Sequence, residues 1–113
     1  MQLLVAVINH EELVEPVLAG FVELGITGAT VVESKGMGRL LSHDAPIFAG
    51  VPALGRSARS ANRTLFCVAD DAKVEAAIRM IEETCGSLSA AGAGIVFTVP
   101  VGRVVGLSPE LGG

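Results

Sequence analysis

An α+β sandwich made of two consecutive strand–helix–strand units is the fold class this sequence predicts, and three observations lead there. Two short apolar runs, "QLLVAVI" (2–8) and "TLFCVA" (64–69), are each followed by a segment whose apolar residues recur at helical spacing. Each helical pattern stops at a glycine, Gly25 and then Gly86, and each leads to a further apolar run, Gly28 to Ser34 and "IVFTV" (95–99). The third is size: 113 residues, 50% apolar and 18% charged, suit one folded domain spanning 1–113.

In the first unit, Leu13, Val17, Phe21 and Leu24 mark one helical face. Pro16 has no N–H and is tolerated only in a first turn, which predicts a helix from Glu12 or Leu13 to Gly25. In the second unit, Asp70 or Asp71 is a good N-cap, and Val74, Ala77, Ile78, Ile81 and Cys85 form the apolar stripe. Pro100 closes the last strand. Two such units in tandem, joined by residues 35–63, predict a ferredoxin-like βαββαβ sandwich, an antiparallel sheet with both helices on one face.

The strands predict assembly as well. "LLVAVI" and "IVFTV" are almost continuously apolar, so both of their faces should be dry, yet two helices cover only one. The other face is expected to pack on neighbouring subunits as a trimer or dimer, or under the C-terminal "VGRVVGL" folded back over the sheet. A core of this size hides only about 60 to 70% of the chain's surface, which also favours oligomers.

Several function classes are excluded or weakened. Residues 17–32 are the longest membrane-span candidate, but they are too short, contain Glu23 and three glycines, and lack basic flanks. "MQLLVAVINHEE" has no export signature, so a cytoplasmic location is expected. Cys67 and Cys85 form no CxxC pair and read as reduced core thiols. His10 and His43 are far apart in sequence, no nucleophile has a nearby activating base, and Glu11, Glu12 and Glu15 suit a solvated first helical turn. No enzyme, metal site or nucleic-acid partner is expected.

The 35–63 connection is about twice the length at which unstructured loops become uncommon, roughly 12 to 15 residues. It holds Lys35, Arg39, Arg56, Arg59 and Arg63 against Asp44 alone, a net of +4, leaving −8 elsewhere in a chain of net charge −4. That asymmetry predicts an anionic ligand or an acidic partner at the loop. Its apolar middle, "APIFAGVPALG" (45–55), reads either as a partner-docking segment, with Ile47, Phe48, Arg56 and Arg59 as contacts, or as chain packed on the protein's own surface. "GMGRLL" lacks the third glycine of a dinucleotide fingerprint, and no GxxxxGK[ST] occurs. Gly36 and Gly38 nevertheless allow close backbone approach to a phosphate, with Arg39 as a bidentate donor beside them.

"GITGATVVESKGMGR" (25–39) resembles the stretch of the PII signalling proteins that runs through their second strand into the T-loop, and "GAGIVFTVPVGRV" (92–104) resembles their B-loop and fourth strand. The resemblance implies a cytoplasmic homotrimer that binds adenine nucleotides (ATP, ADP or AMP) in intersubunit clefts and engages transporters, enzymes or regulators through the loop. By position, Ile8, Gly28, Thr30, Gly36, Met37, Gly38 and Arg39 match one side of the family's cleft, and Gly92 and Gly94 its B-loop side. The sequence also departs from the family. Ala93 replaces an acid, Ile95 stands where a phosphate-binding lysine is usual, and Gly106 and Ser108 replace two C-terminal arginines. Each lost charge-assisted bond is worth about 1.5 to 3 kcal/mol, which weakens the family's ATP mode unless Arg103 or a loop arginine compensates. Leu40 replaces a glutamine used for 2-oxoglutarate, and the chain has no tyrosine to uridylylate. Two other readings fit the same fold: a ligand-independent docking trimer, and a CutA-like metal-binding trimer using His10, His43 or Cys67.

Overall fold

Strand, helix and strand alternate twice along the chain, and the structure, a computed structural model, describes residues 1–37, 62–86 and 94–107. In order come β1 (Gln2–Ile8), a 3₁₀ turn (Glu11–Leu13), α1 (Val14–Glu23), β2 (Thr30–Ser34), β3 (Asn62–Ala69), α2 (Asp71–Cys85) and β4 (Gly94–Pro100). The four strands form one antiparallel sheet in the order β2-β3-β1-β4. This is the ferredoxin-like α+β arrangement that the tandem units predict.

Alternation along the strands decides what is buried. Leu4, Ala6 and Ile8 of β1 and Leu65, Cys67 and Ala69 of β3 point to the helices, where they meet Val14, Val17 and Phe21 of α1 and Val74, Ala77 and Ile81 of α2. The two helices approach closely at Gly20, where a Cβ would lie 2.4 Å from Met80 Sδ. A larger residue there would require the flexible Met80 side chain to shift.

The opposite face carries Leu3, Val5 and Val7 of β1, Phe66 and Val68 of β3, and Ile95, Phe97 and Val99 of β4, with Val5 paired to both Phe66 and Phe97. Ile95, Phe97 and Val99 are 55%, 45% and 43% exposed. No described element lies over this face. Residues 101–107 leave it open, with Val105 itself 81% exposed, so the expectation that "VGRVVGL" folds back over the sheet is not met. Instead, the Val101 N–H donates to the Met1 carbonyl at 3.1 Å and the segment continues past the strand end.

Element boundaries differ from the sequence reading for identifiable reasons. Pro16 is the third residue of α1 and cannot donate to Glu12, so the chain enters the helix through the 3₁₀ turn, closed by Leu13 N–H to the His10 carbonyl at 3.0 Å. At the other end, Gly25 takes a φ of 83°, and the Gly25 and Ile26 N–H groups donate to the Val22 and Phe21 carbonyls at 3.0 and 2.8 Å. This Schellman ending buries Ile26 against Phe21. β2 begins at Thr30, where its pairing with Phe66 starts, rather than at Gly28; β3 begins two residues early, because Asn62 and Arg63 pair with Ser34 and Glu33. Among the described residues no helix is long and apolar enough to cross a membrane.

Asp70 caps α2, its carboxylate accepting from the Lys73 N–H at 2.8 Å. Asp70→Ala removes this side-chain cap and is expected to cost about 1 kcal/mol. Urea denaturation at one fixed protein concentration checks it.

Candidate functional site

Of the described residues that the sequence singles out, Ile8, Gly36, Met37 and Gly94 fall at one end of the sheet and Arg103 past the other, while Thr30 pairs mid-sheet. The register sets Glu33, Arg63, Ile8 and Gly94 side by side in one row across β2, β3, β1 and β4. Beyond that row the chain leaves β2 through Lys35, Gly36 and Met37 and comes back at Asn62. The root of the long loop and the start of β4 therefore sit at one end of the sheet, next to the end of β1.

At this end each residue has a distinct local reason. Ile8 has its side chain in the core, 2% exposed, so what it offers a ligand is main chain. Gly94 adopts a φ of 135°, and a Cβ there would stand 2.3 Å from the Val7 carbonyl oxygen, so β1 tolerates only glycine beside it. Gly36 lies against the returning chain, where a Cβ would be 3.0 Å from Asn62 Nδ2. Met37 is 71% exposed. The two stems are also bound on the open face by the Ser34 and Thr64 hydroxyls, 2.8 Å apart.

The other candidates lie elsewhere. Thr30 is exposed on the open face opposite Phe66, and Gly28 precedes it in open space, with nothing within 4 Å of a notional Cβ. Arg103 is exposed three residues past Pro100, which pairs with Gln2 at the far end of β4. Since β4 runs roughly 20 Å from Gly94 to Pro100, Arg103 and Gly94 of one chain flank opposite ends of the sheet. Gly38, Arg39, Gly92, Ile47, Phe48, Arg56, Arg59 and His43 lie outside the described residues.

Arg63 corrects the sequence reading. Counted there among the loop charges, it is the second residue of β3, with the same parity as Leu65 and Cys67, and its side chain lies on the helix face. Its Nη2 donates to Glu11 Oε1 at 2.6 Å and stands 3.3 Å from Glu33 Oε1, while Nη1 donates to the Asn62 carbonyl at 3.2 Å. The guanidinium side chain is 16% exposed. It is thus neutralised within the fold, and the basic excess of the connection shrinks to that of Lys35, Arg39, Arg56 and Arg59 over Asp44. Carrying the strand's alternation back two residues from Leu65 would have found it. As Glu33 is 82% exposed, its own pair with Arg63 is worth about 0 to 1 kcal/mol.

The metal alternative finds no convergent ligands here. His10 is exposed, its Nδ1 3.8 Å from Glu12 Oε1, whereas Cys67 is buried between strand and helix beside Leu4. No group of three His, Cys, Asp or Glu that could hold a metal occurs among the described residues. Burial pushes the Cys67 thiol above its usual value, and that of half-buried Cys85 likewise.

A family model described as nitrogen regulatory protein P-II matches residues 1–110. No curated protein matches. Among solved structures, the chain is similar to Arabidopsis thaliana PII bound to citrate, with a TM-score of 0.62 and 21% identity over 88% of this chain and 76% of that one. At that identity the likeness concerns the fold.

Two outcomes are expected. Gly94→Ala forces either the Val7 carbonyl or the β4 backbone to move, and should lower stability by about 1 to 3 kcal/mol or more in chemical denaturation. A thiol reagent at pH 8 should label Cys85 before Cys67. Because the folded Cys67 pKa is raised, its stabilising contribution is complete below the unfolded thiol pKa of about 8.5 and is lost as pH rises from there through the folded value. Cys67→Ala should flatten that alkaline decline.

Proposed function

Since the chain belongs to the nitrogen regulatory protein P-II family, we propose that it acts as a single 1–113 domain in a homotrimer that binds a small anionic effector, an adenine nucleotide first of all, between subunits. Through the long connection, 36–63 by sequence, it then regulates a protein partner such as a membrane transporter or an enzyme, in the cytoplasm and without catalysis of its own. The effector site takes Ile8, Gly36, Met37, Gly38, Arg39, Gly92 and Gly94 from one subunit. Gly28, Thr30 and Arg103 come from the next.

The observation that carries this reading is the separation of those two groups. Among their described members, one chain holds Ile8, Gly36 and Gly94 at one end of its sheet and Arg103 past the other, roughly 20 Å away along β4, and a second copy seated on the apolar face would bring such ends of two chains to a common cleft. That face has the composition of an interface core, with Leu3, Val5, Val7, Phe66, Val68, Ile95, Phe97 and Val99 across three strands. Effector binding would select one arrangement of the loop and so change which partner docks, a population shift.

One feature favours a second reading, a docking trimer that needs no effector. Ile95 presents an apolar side chain, 55% exposed on the open face, in the position of the family's phosphate-binding lysine.

The test combines sedimentation with a thermal-shift series against ATP, ADP, AMP, citrate and bicarbonate. A trimer whose melting temperature rises with one of the nucleotides is expected, since a ligand at 100 times its Kd adds about 2.7 kcal/mol per site. Arg39→Ala and Arg103→Ala should each abolish the shift while leaving the trimer intact, and Phe97→Glu should dissociate it. A stable monomer ends the intersubunit reading; a trimer indifferent to every compound turns the assignment to the docking role.

A further inference from the structure

The contacts of Arg63 join three segments that are remote in sequence and meet only at the root of the long connection. Glu33 belongs to the stem that leaves the sheet, Arg63 and Asn62 to the stem that returns, and Glu11 to the turn before α1. We propose that Arg63 is a latch, a positioning residue that fixes both stems of the 38–61 segment to the α1 turn. The departure point of the loop thereby keeps one geometry relative to Ile8 and Gly94.

The geometry favours a latch over an incidental surface pair. The guanidinium is only 16% exposed, although its acids are 62% and 82% exposed, so the cation is the fixed member and the carboxylates close over it. Nη2 serves two carboxylates while Nη1 holds the Asn62 carbonyl beside it, a division of donors that a planar guanidinium permits and a lysine ammonium, as a point charge, matches poorly. The pairing is also directional. Glu33 faces Arg63 across the β2–β3 ladder, whereas Glu11 reaches it from outside the sheet, so the same side chain couples the ladder to the helix layer. On the helix face below it, Arg63 pairs in register with Ile8, which anchors the row in the core.

That the latched end also receives an effector rests on the reading proposed above, whereas the latch itself needs no ligand. Hydrogen exchange therefore tests it directly, on the full chain, with peptides covering 9–14, 30–36 and 62–67 and with α2 as the internal reference. Arg63→Gln is expected to speed exchange about two- to fivefold in the first two peptides, with α2 unchanged, as local opening does. Glu33→Gln should act on 30–36 alone and Glu11→Gln on 9–14 alone. Neither should add to Arg63→Gln, and Arg63→Lys should restore part of the protection. Exposed ion pairs are screened by salt, so 0.5 M KCl should speed exchange at these sites in the wild type and not in Arg63→Gln. Unchanged rates, or a uniform rise that includes α2, would overturn the proposal. Should Arg63→Gln fail to fold, the two glutamate variants and the salt series decide the matter, because each alters only an exposed acid. Loss of nucleotide binding with the exchange pattern intact would count against the effector site and leave the latch standing.

Discussion

Everything described in this protein follows from a sheet that is apolar on both faces and whose described helices lie on only one. The inward face is settled by the chain itself: Leu4, Ala6, Ile8, Leu65, Cys67 and Ala69 close against Val17, Phe21, Val74 and Ile81 in a dry layer. The outward face, centred on Val5 between Phe66 and Phe97, meets no described element. Leaving that much aliphatic and aromatic surface in water forgoes about 25 cal/mol for each Å² that a neighbour could bury. Contiguous patches of this kind mark association surfaces in soluble proteins.

The same alternation organises the end of the sheet. A one-residue slip of any strand would exchange its faces, so burial of the inward set fixes the register. The register in turn fixes the row Glu33, Arg63, Ile8, Gly94. Ile8 anchors that row in the core and Gly94 is pressed against the Val7 carbonyl, so the start of β4 has little freedom. On the far side, Arg63 gathers the acids of β2 and the α1 turn. A long connection can thus be carried on a root whose position is set by packing and by ion pairs rather than by the connection itself.

Charge is partitioned along the same lines. The described acids lie largely on the exposed helices and turns, and Arg63 is neutralised by two of them, Glu11 and Glu33. By sequence, the connection then keeps a net charge of +3 from Lys35, Arg39, Arg56 and Arg59 over Asp44.

The sequence by itself determined the elements, their order and the fold, because each signal is local. Hydrophobic period distinguishes strand from helix in "QLLVAVI" and in Val74 to Cys85, Asp70 supplies a cap within three residues, and Gly25 and Gly86 stop the helices where left-handed backbone is needed. The glycine-spaced stretches at 25–39 and 92–104 carried the family in the same way. Tertiary structure alone decided which groups meet. That Arg63 serves Glu11 and Glu33 depends on a β2–β3 ladder and on a turn fifty residues away, and its position next to loop arginines in sequence concealed that it belongs to the strand. That Gly94 is a packing requirement of β1, and that Arg103 lies at the opposite end of the sheet from it, likewise follow from strand pairing. Pairing partners are set by burial of the whole sheet, a non-local quantity that no window of sequence contains.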